Sequence, residues 1–97
     1  MAKEIRWSVR ADNDRIEILE YWAKRNKSSV YSNKLNNWFA SKIELLSTFP
    51  ELGKATNIPS IRIKIIREYS IYYQVTDDYI EVLTIWNTKR DPQKFEL

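Results

Sequence analysis

The 97-residue sequence contains neither cysteine nor histidine. Without thiols no disulfide can staple the fold. Without thiolate or imidazole, zinc fingers, thiol nucleophiles, Ser-His-Asp triads and nearly all transition-metal sites are excluded, so no metal and no cofactor are expected. Glycine occurs once, at Gly53. No apolar run approaches the ~20 residues of a membrane span, and the opening MAKEIRWSVRADND lacks the apolar core of a signal peptide. The expectation is a soluble, cytoplasmic protein without membrane association. Charge of one sign is also scarce, since the net value is +3, which permits an anionic partner without demanding one.

Aromatic side chains are plentiful: 4 Trp, 6 Tyr and 3 Phe. Each buries a large apolar area, so one dense core compensates for small size, and the length leads us to expect a single domain, residues 1–97. EIRWSV (4–9) alternates apolar and polar positions as a half-buried strand does, and Ser8 stands where a helix cap is useful. From Ala11 to about Lys24, Ile16, Leu19, Trp22 and Ala23 recur at helical spacing, with acids gathered toward the start. RNKSS (25–29) interrupts, with Ser28 or Ser29 as a second cap. Tyr31, Leu35, Trp38, Phe39, Lys42, Ile43, Leu46 and Phe49 then trace a stripe through a second long helix, ended by Pro50. After a loop at ATNIPS (55–60), IRIKII (61–66), EYSIYYQV (68–75) and YIEVLTIW (79–86) read as three successive strands. The order β-α-α-β-β-β specifies an α+β fold in which an antiparallel helical hairpin packs on a twisted, mainly antiparallel four-stranded sheet.

Asp77 and Asp78 fit a two-residue turn that sets Tyr73 opposite Val82. One face then carries Tyr69, Ile71, Tyr73 and Val75 beside Ile80, Val82, Thr84 and Trp86, and the helices must cover it. A three-residue loop at Ile66, Arg67 and Glu68 would add Ile61, Ile63 and Ile65 to that face. The open face would present Arg62 and Lys64 next to Ser70, Tyr72 and Gln74, with Glu81, Leu83 and Ile85 beyond. Chemistry, if any, is expected there. Taken as isolated side chains, Arg62 and Lys64 fit a solubilising role better than a catalytic one, Tyr72 equally fits a sheet residue covering Leu83, and Lys89 and Arg90 fit a guard against edge pairing.

The segments WSVRADNDRIEILEYW (7–22), LSTFPELGK (46–54), IRIKIIREYSIYYQV (61–75) and IEVLTIWNTKRDPQKF (80–95), in this order and spacing, resemble the RelE/ParE family of bacterial type II toxin-antitoxin toxins over almost the whole chain. The resemblance implies a growth inhibitor neutralised by a cognate antitoxin protein. RelE-like members cleave mRNA on the ribosome, and ParE-like members inhibit DNA gyrase. Neither action implies a small-molecule ligand. RNA cleavage through the 2′-oxygen needs a base, cations for a phosphorane and an acid. Carried over by position, Arg62 and Lys64 match the basic pair of the nuclease members, Lys89 and Arg90 stand for their downstream basic residues, and Tyr72 is the nearby phenol. Ser70, however, occupies the place of the phosphate-binding arginine, and a neutral hydroxyl supplies no bidentate cation. Phe95 lies near a nuclease tyrosine and can stack but not transfer a proton. The resemblance therefore favours ParE-like action on gyrase, with Lys89, Arg90, Lys94 and Phe95 as target-binding residues, over a metal-free, ribosome-dependent mRNA endonuclease using Arg62, Lys64, Tyr72, Lys89 and Arg90. A catalytically silent RNA-binding module is the third possibility.

Overall fold

The computed structural model describes residues 2–89 and Leu97. Its elements are β1 (Glu4–Trp7), α1 (Val9–Asn26), α2 (Val30–Thr48), a 3-10 turn (Pro50–Leu52), β2 (Lys54–Ala55), β3 (Ile61–Ile66), β4 (Tyr69–Val75) and β5 (Tyr79–Asn87). The strands form one five-stranded sheet in the order β1-β5-β4-β3-β2, antiparallel except for the parallel β1–β5 pair. The expected α+β architecture with a helical hairpin on a mainly antiparallel sheet is present. The fifth strand, β2, is a two-residue edge piece within the connection after the helices.

Ser8 starts α1 as anticipated: its Oγ accepts from the Ala11 amide at 2.9 Å, satisfying a free donor of the first turn. The helix buries Ala11 and packs Ile18, Leu19 and Trp22 against the core, while Ile16, expected in the buried stripe, is exposed. The second cap is weaker. Ser29 precedes α2 without a side-chain bond, and Ser28 Oγ accepts from the Val30 amide instead. Along α2, Leu35, Phe39, Ile43 and Leu46 are fully buried. Lys42 and Phe49 fall on an outer flank and face solvent.

Behind α2 the exit is pinned from below. The buried Tyr73 hydroxyl donates to the Pro50 carbonyl at 2.6 Å and accepts from the Gly53 amide at 2.9 Å. A Cβ at Gly53 would collide with the Tyr73 ring and hydroxyl, which explains the chain's one glycine by space rather than by backbone angle.

The turn at Asp77 and Asp78 sets Tyr73 opposite Val82, as the sequence predicts. One step further the ladder slips: Tyr72 faces Thr84, leaving Leu83 as the extra residue of a β-bulge. The groups freed by the bulge are taken up by α1. Ser8 Oγ donates to the Leu83 carbonyl at 2.8 Å, and the Asp14 carboxylate accepts from both the Thr84 hydroxyl and the Ile85 amide. Beyond this point the two faces of β5 exchange relative to expectation. Ile85 is 4% exposed and opposes buried Ile71 under the helices, whereas Trp86 opposes Ser70 on the other face.

The β3–β4 hairpin also departs from expectation, because its loop is two residues, Arg67 and Glu68, with Arg67 at a left-handed φ of 58°. Ile66 therefore opposes Tyr69, Lys64 opposes Ile71 and Arg62 opposes Tyr73. A change of one residue in loop length reverses the whole strand. Arg62 and Lys64 lie on the helix-covered face, and Ile61, Ile63 and Ile65 on the open one, where Ile65 is 63% exposed. Ile66 explains the choice: of the four isoleucines in this strand it alone is buried, against the Tyr69 that Phe39 meets edge-on.

Candidate functional site

Three groups of chemically capable side chains result. On the helix-covered face near the β3 edge, Arg62 donates to the Gly53 carbonyl at 2.8 Å and more distantly to that of Glu51. Its guanidinium thus holds the helix exit and β2 against the sheet. Lys64 follows two residues on, half-buried, and Arg67 at the hairpin tip lies over the Trp38 ring of α2 at 4.0 Å. That contact offsets part of the cost of a left-handed arginine.

On the open face, Tyr72 stands between Ser70 and Gln74 and opposite Ile63. Ser70 is buried beside Trp86. The pleat separates this set from Arg62 and Lys64 by the thickness of the sheet, so those two cations and the Tyr72 phenol do not converge on one reacting atom. The arrangement of Arg62, Lys64 and Tyr72 around a shared substrate, expected if all three occupied one face, is not formed.

The third group lies where β5 runs out. Lys89 is exposed; its amide donates to Asn87 Oδ1 at 2.8 Å and its ammonium lies 3.6 Å from Glu68. Thr88 adds two bonds to the Glu68 carbonyl, through its amide and its hydroxyl. The root of the C-terminal segment is thereby tied to the β3–β4 turn. Arg90, Lys94 and Phe95, the other residues singled out in this segment, lie outside the described residues.

Beside Lys89 a cavity of about 420 Å³ opens between α1 and the ends of β4 and β5, with Trp22, Tyr69, Ile18 and Ile85 among its apolar lining and Asp14, Glu17, Glu68 and Arg25 among its polar lining. Trp22 Nε1 donates to the Tyr69 hydroxyl at 2.8 Å across its floor. Burial pushes the Tyr69 phenol above its ordinary value of 10.0, partly opposed by that bond, and does the same to Tyr73, opposed by the Gly53 amide. Neither phenol is poised to lose a proton near neutrality. Both act as structural hydroxyls.

Asp14 was legible in the sequence only as an acid in the first half of a helix. Its position as the lock of the bulge requires knowing that α1 crosses β5, which spacing along the chain does not disclose. Among the described residues no helix is long and apolar enough to cross a membrane.

Residues 5–92 match the family model described as the ParE toxin of the type II toxin-antitoxin system, parDE. Among curated proteins none matches the chain. Two solved structures share the fold at low identity. One, described as the chromosomal ParDE TA system from P. aeruginosa, is 15% identical, with a TM-score of 0.76 over 91% of this chain and 98% of that one. The other, from the E. coli DinJ-YafQ toxin-antitoxin complex, is 14% identical, with a TM-score of 0.51 over 90% of this chain and 93% of that one.

Proposed function

Because the chain belongs to the ParE toxin family of type II toxin-antitoxin systems, we propose that it arrests growth by binding DNA gyrase rather than by cleaving RNA, and that a cognate antitoxin holds it silent. The observation carrying this reading is the split of the nuclease candidates between two faces of the sheet. Arg62 is engaged with backbone carbonyls under the helices, Tyr72 stands on the other side, and Ser70 offers no cation beside it. A phosphorane formed at Tyr72 would have neither Arg62 nor Lys64 within reach, and electrostatic stabilisation by preorganised cations is the largest part of such catalysis.

A binder needs a presented surface instead. The end of the molecule where β5 finishes supplies one: Lys89 projects there, rooted on Glu68, and Lys24 and Arg25 close α1 nearby. Lys89, with Arg90, Lys94 and Phe95 after it, is the proposed target-contacting segment. The partner that masks the toxin is an antitoxin protein, in keeping with the toxin-antitoxin assemblies named for both structural neighbours.

The reading is tested with the purified chain in two reactions run side by side, gyrase supercoiling of a relaxed plasmid and translation of a reporter mRNA. Supercoiling should fall as toxin approaches the gyrase concentration, and a chain truncated before Thr88 should inhibit at least about tenfold less, a loss of ~1.4 kcal/mol in binding. Cleaved mRNA with untouched supercoiling would overturn the proposal in favour of a ribosome-dependent nuclease.

A further inference from the structure

The net charge of +3 conceals a division of the molecule. Between Glu20 and Glu44 the sequence carries Lys24, Arg25, Lys27, Lys34 and Lys42 and no carboxylate, and between Glu51 and Glu68 it carries Lys54, Arg62, Lys64 and Arg67 and again none. The fold brings these two stretches together where α2 crosses the sheet, touching β3 as well as β1 and β5, with the Arg67 guanidinium 4.0 Å from the Trp38 ring centroid. Five carboxylates, Glu4, Asp12, Asp77, Asp78 and Glu81, belong to β1, the start of α1 and the β4–β5 turn and strand, toward the other edge of the sheet, while Glu44, Glu51 and Glu68 stand at the ends of the two basic stretches.

Along α2, Lys34, Trp38 and Lys42 follow one another at intervals of four, which aligns them on one flank. Lys34 and Lys42 are separated by eight residues, about 12 Å along the axis, a span comparable with the width of the B-DNA major groove. Among the described residues, none of Lys24, Lys27, Lys34, Lys42 and Lys64 is paired with a carboxylate. The type of cation matters as much as the number. Lysine is depleted from the cores of protein interfaces, whereas flexible ammonium groups in a row are the footprint of a phosphate backbone.

We propose that the flank formed by α2 and β3 binds duplex DNA through its phosphates, without reading base sequence. The biological setting rests on the gyrase reading, in which the toxin meets an enzyme already engaged with DNA, while the binding itself rests on the arrangement of charge. Contact with a DNA segment would raise the toxin's concentration near its target and orient the end bearing Lys89.

The test is fluorescence anisotropy of the full-length chain with a labelled duplex of random sequence, in the absence of gyrase and over a series of salt concentrations. Affinity should fall linearly on logarithmic axes. The double variant K34E/K42E should bind at least about tenfold more weakly at low salt and show a slope shallower by roughly two, one for each lost phosphate contact. Should that variant melt early, K34Q/K42Q provides the same reading with a smaller perturbation. R6E, on the acidic side, should leave the affinity within about threefold, because distant exposed charges are screened. Absence of binding at low salt, equal binding by both lysine variants, or a tenfold preference for single-stranded RNA overturns the proposal. So does a K34E/K42E chain that keeps its DNA affinity but loses its antitoxin, which would assign the flank to an acidic protein. Supercoiling inhibition that survives loss of DNA binding would leave the gyrase reading standing and overturn the contribution assigned to DNA contact in reaching the target.

Discussion

Gly53 and Tyr73 show how much one position depends on another. The hydroxyl of Tyr73 satisfies a donor and an acceptor at the helix exit, and it fits because residue 53 has no side chain. Gly53→Ala should cost about 1 to 3 kcal/mol through forced displacement of the Tyr73 ring, measurable as a shift of the urea midpoint with unchanged slope. The same tyrosine gives the fold an alkaline limit. Folding raises the phenol pKa of Tyr69 and Tyr73 above 10.0, so the folded state holds these protons more tightly than the unfolded chain does. Their contribution is complete below pH 10 and is lost as pH rises from there through the folded values. Ultraviolet titration should show tyrosines that ionise only late, together with unfolding, and Tyr73→Phe should flatten the alkaline fall while lowering stability at neutral pH, where the Gly53 amide and Pro50 carbonyl lose their partner.

Elements in this fold are set by contacts that their own sequence does not contain. The turn at Asp77 and Asp78 was legible because turn residues stand between two alternating runs, and it correctly gave Tyr73 opposite Val82. The bulge five residues later was not, since Leu83-Thr84-Ile85 reads as uninterrupted strand and the groups that capture it, Ser8 and Asp14, lie about 70 positions away. Likewise IRIKII has isoleucine at positions 61, 63, 65 and 66, so its alternation fits either face until Ile66 is paired with Tyr69. The candidate site inherited both ambiguities: which of the candidate residues share a face was not legible. Asp14→Ala removes a charged acceptor from the bulge and should cost about 1 to 3 kcal/mol. Hydrogen exchange should then accelerate first at Ile85, with the Tyr73 region protected until global unfolding. Equal acceleration throughout would show that the bulge is held by other means.

For the molecule as a whole, the order of the two long helices and four main strands was legible because helices and strands carry different periods, whereas the short 3-10 turn and the two-residue β2 left no such signal. The polarity of charge was visible in the sequence as two stretches without acids, yet its meaning depended on α2 and β3 being neighbours. That adjacency comes from α2 crossing the sheet, so that Trp38 reaches Arg67 at the β3–β4 turn.

The parallel pairing of β1 with β5 bears on when this protein comes into existence during synthesis. Glu4 has its partner at Tyr79 and Trp7 at Val82, so β1 has no neighbour in the sheet until β5 has been made. Contacts of such long sequence separation form late and slowly. A nascent chain that still lacks residues 79–87 has nowhere to place β1 and no bulge for α1 to grip. The sheet therefore closes only once β5 has been made, and until then β1 and the start of α1 wait without their partners.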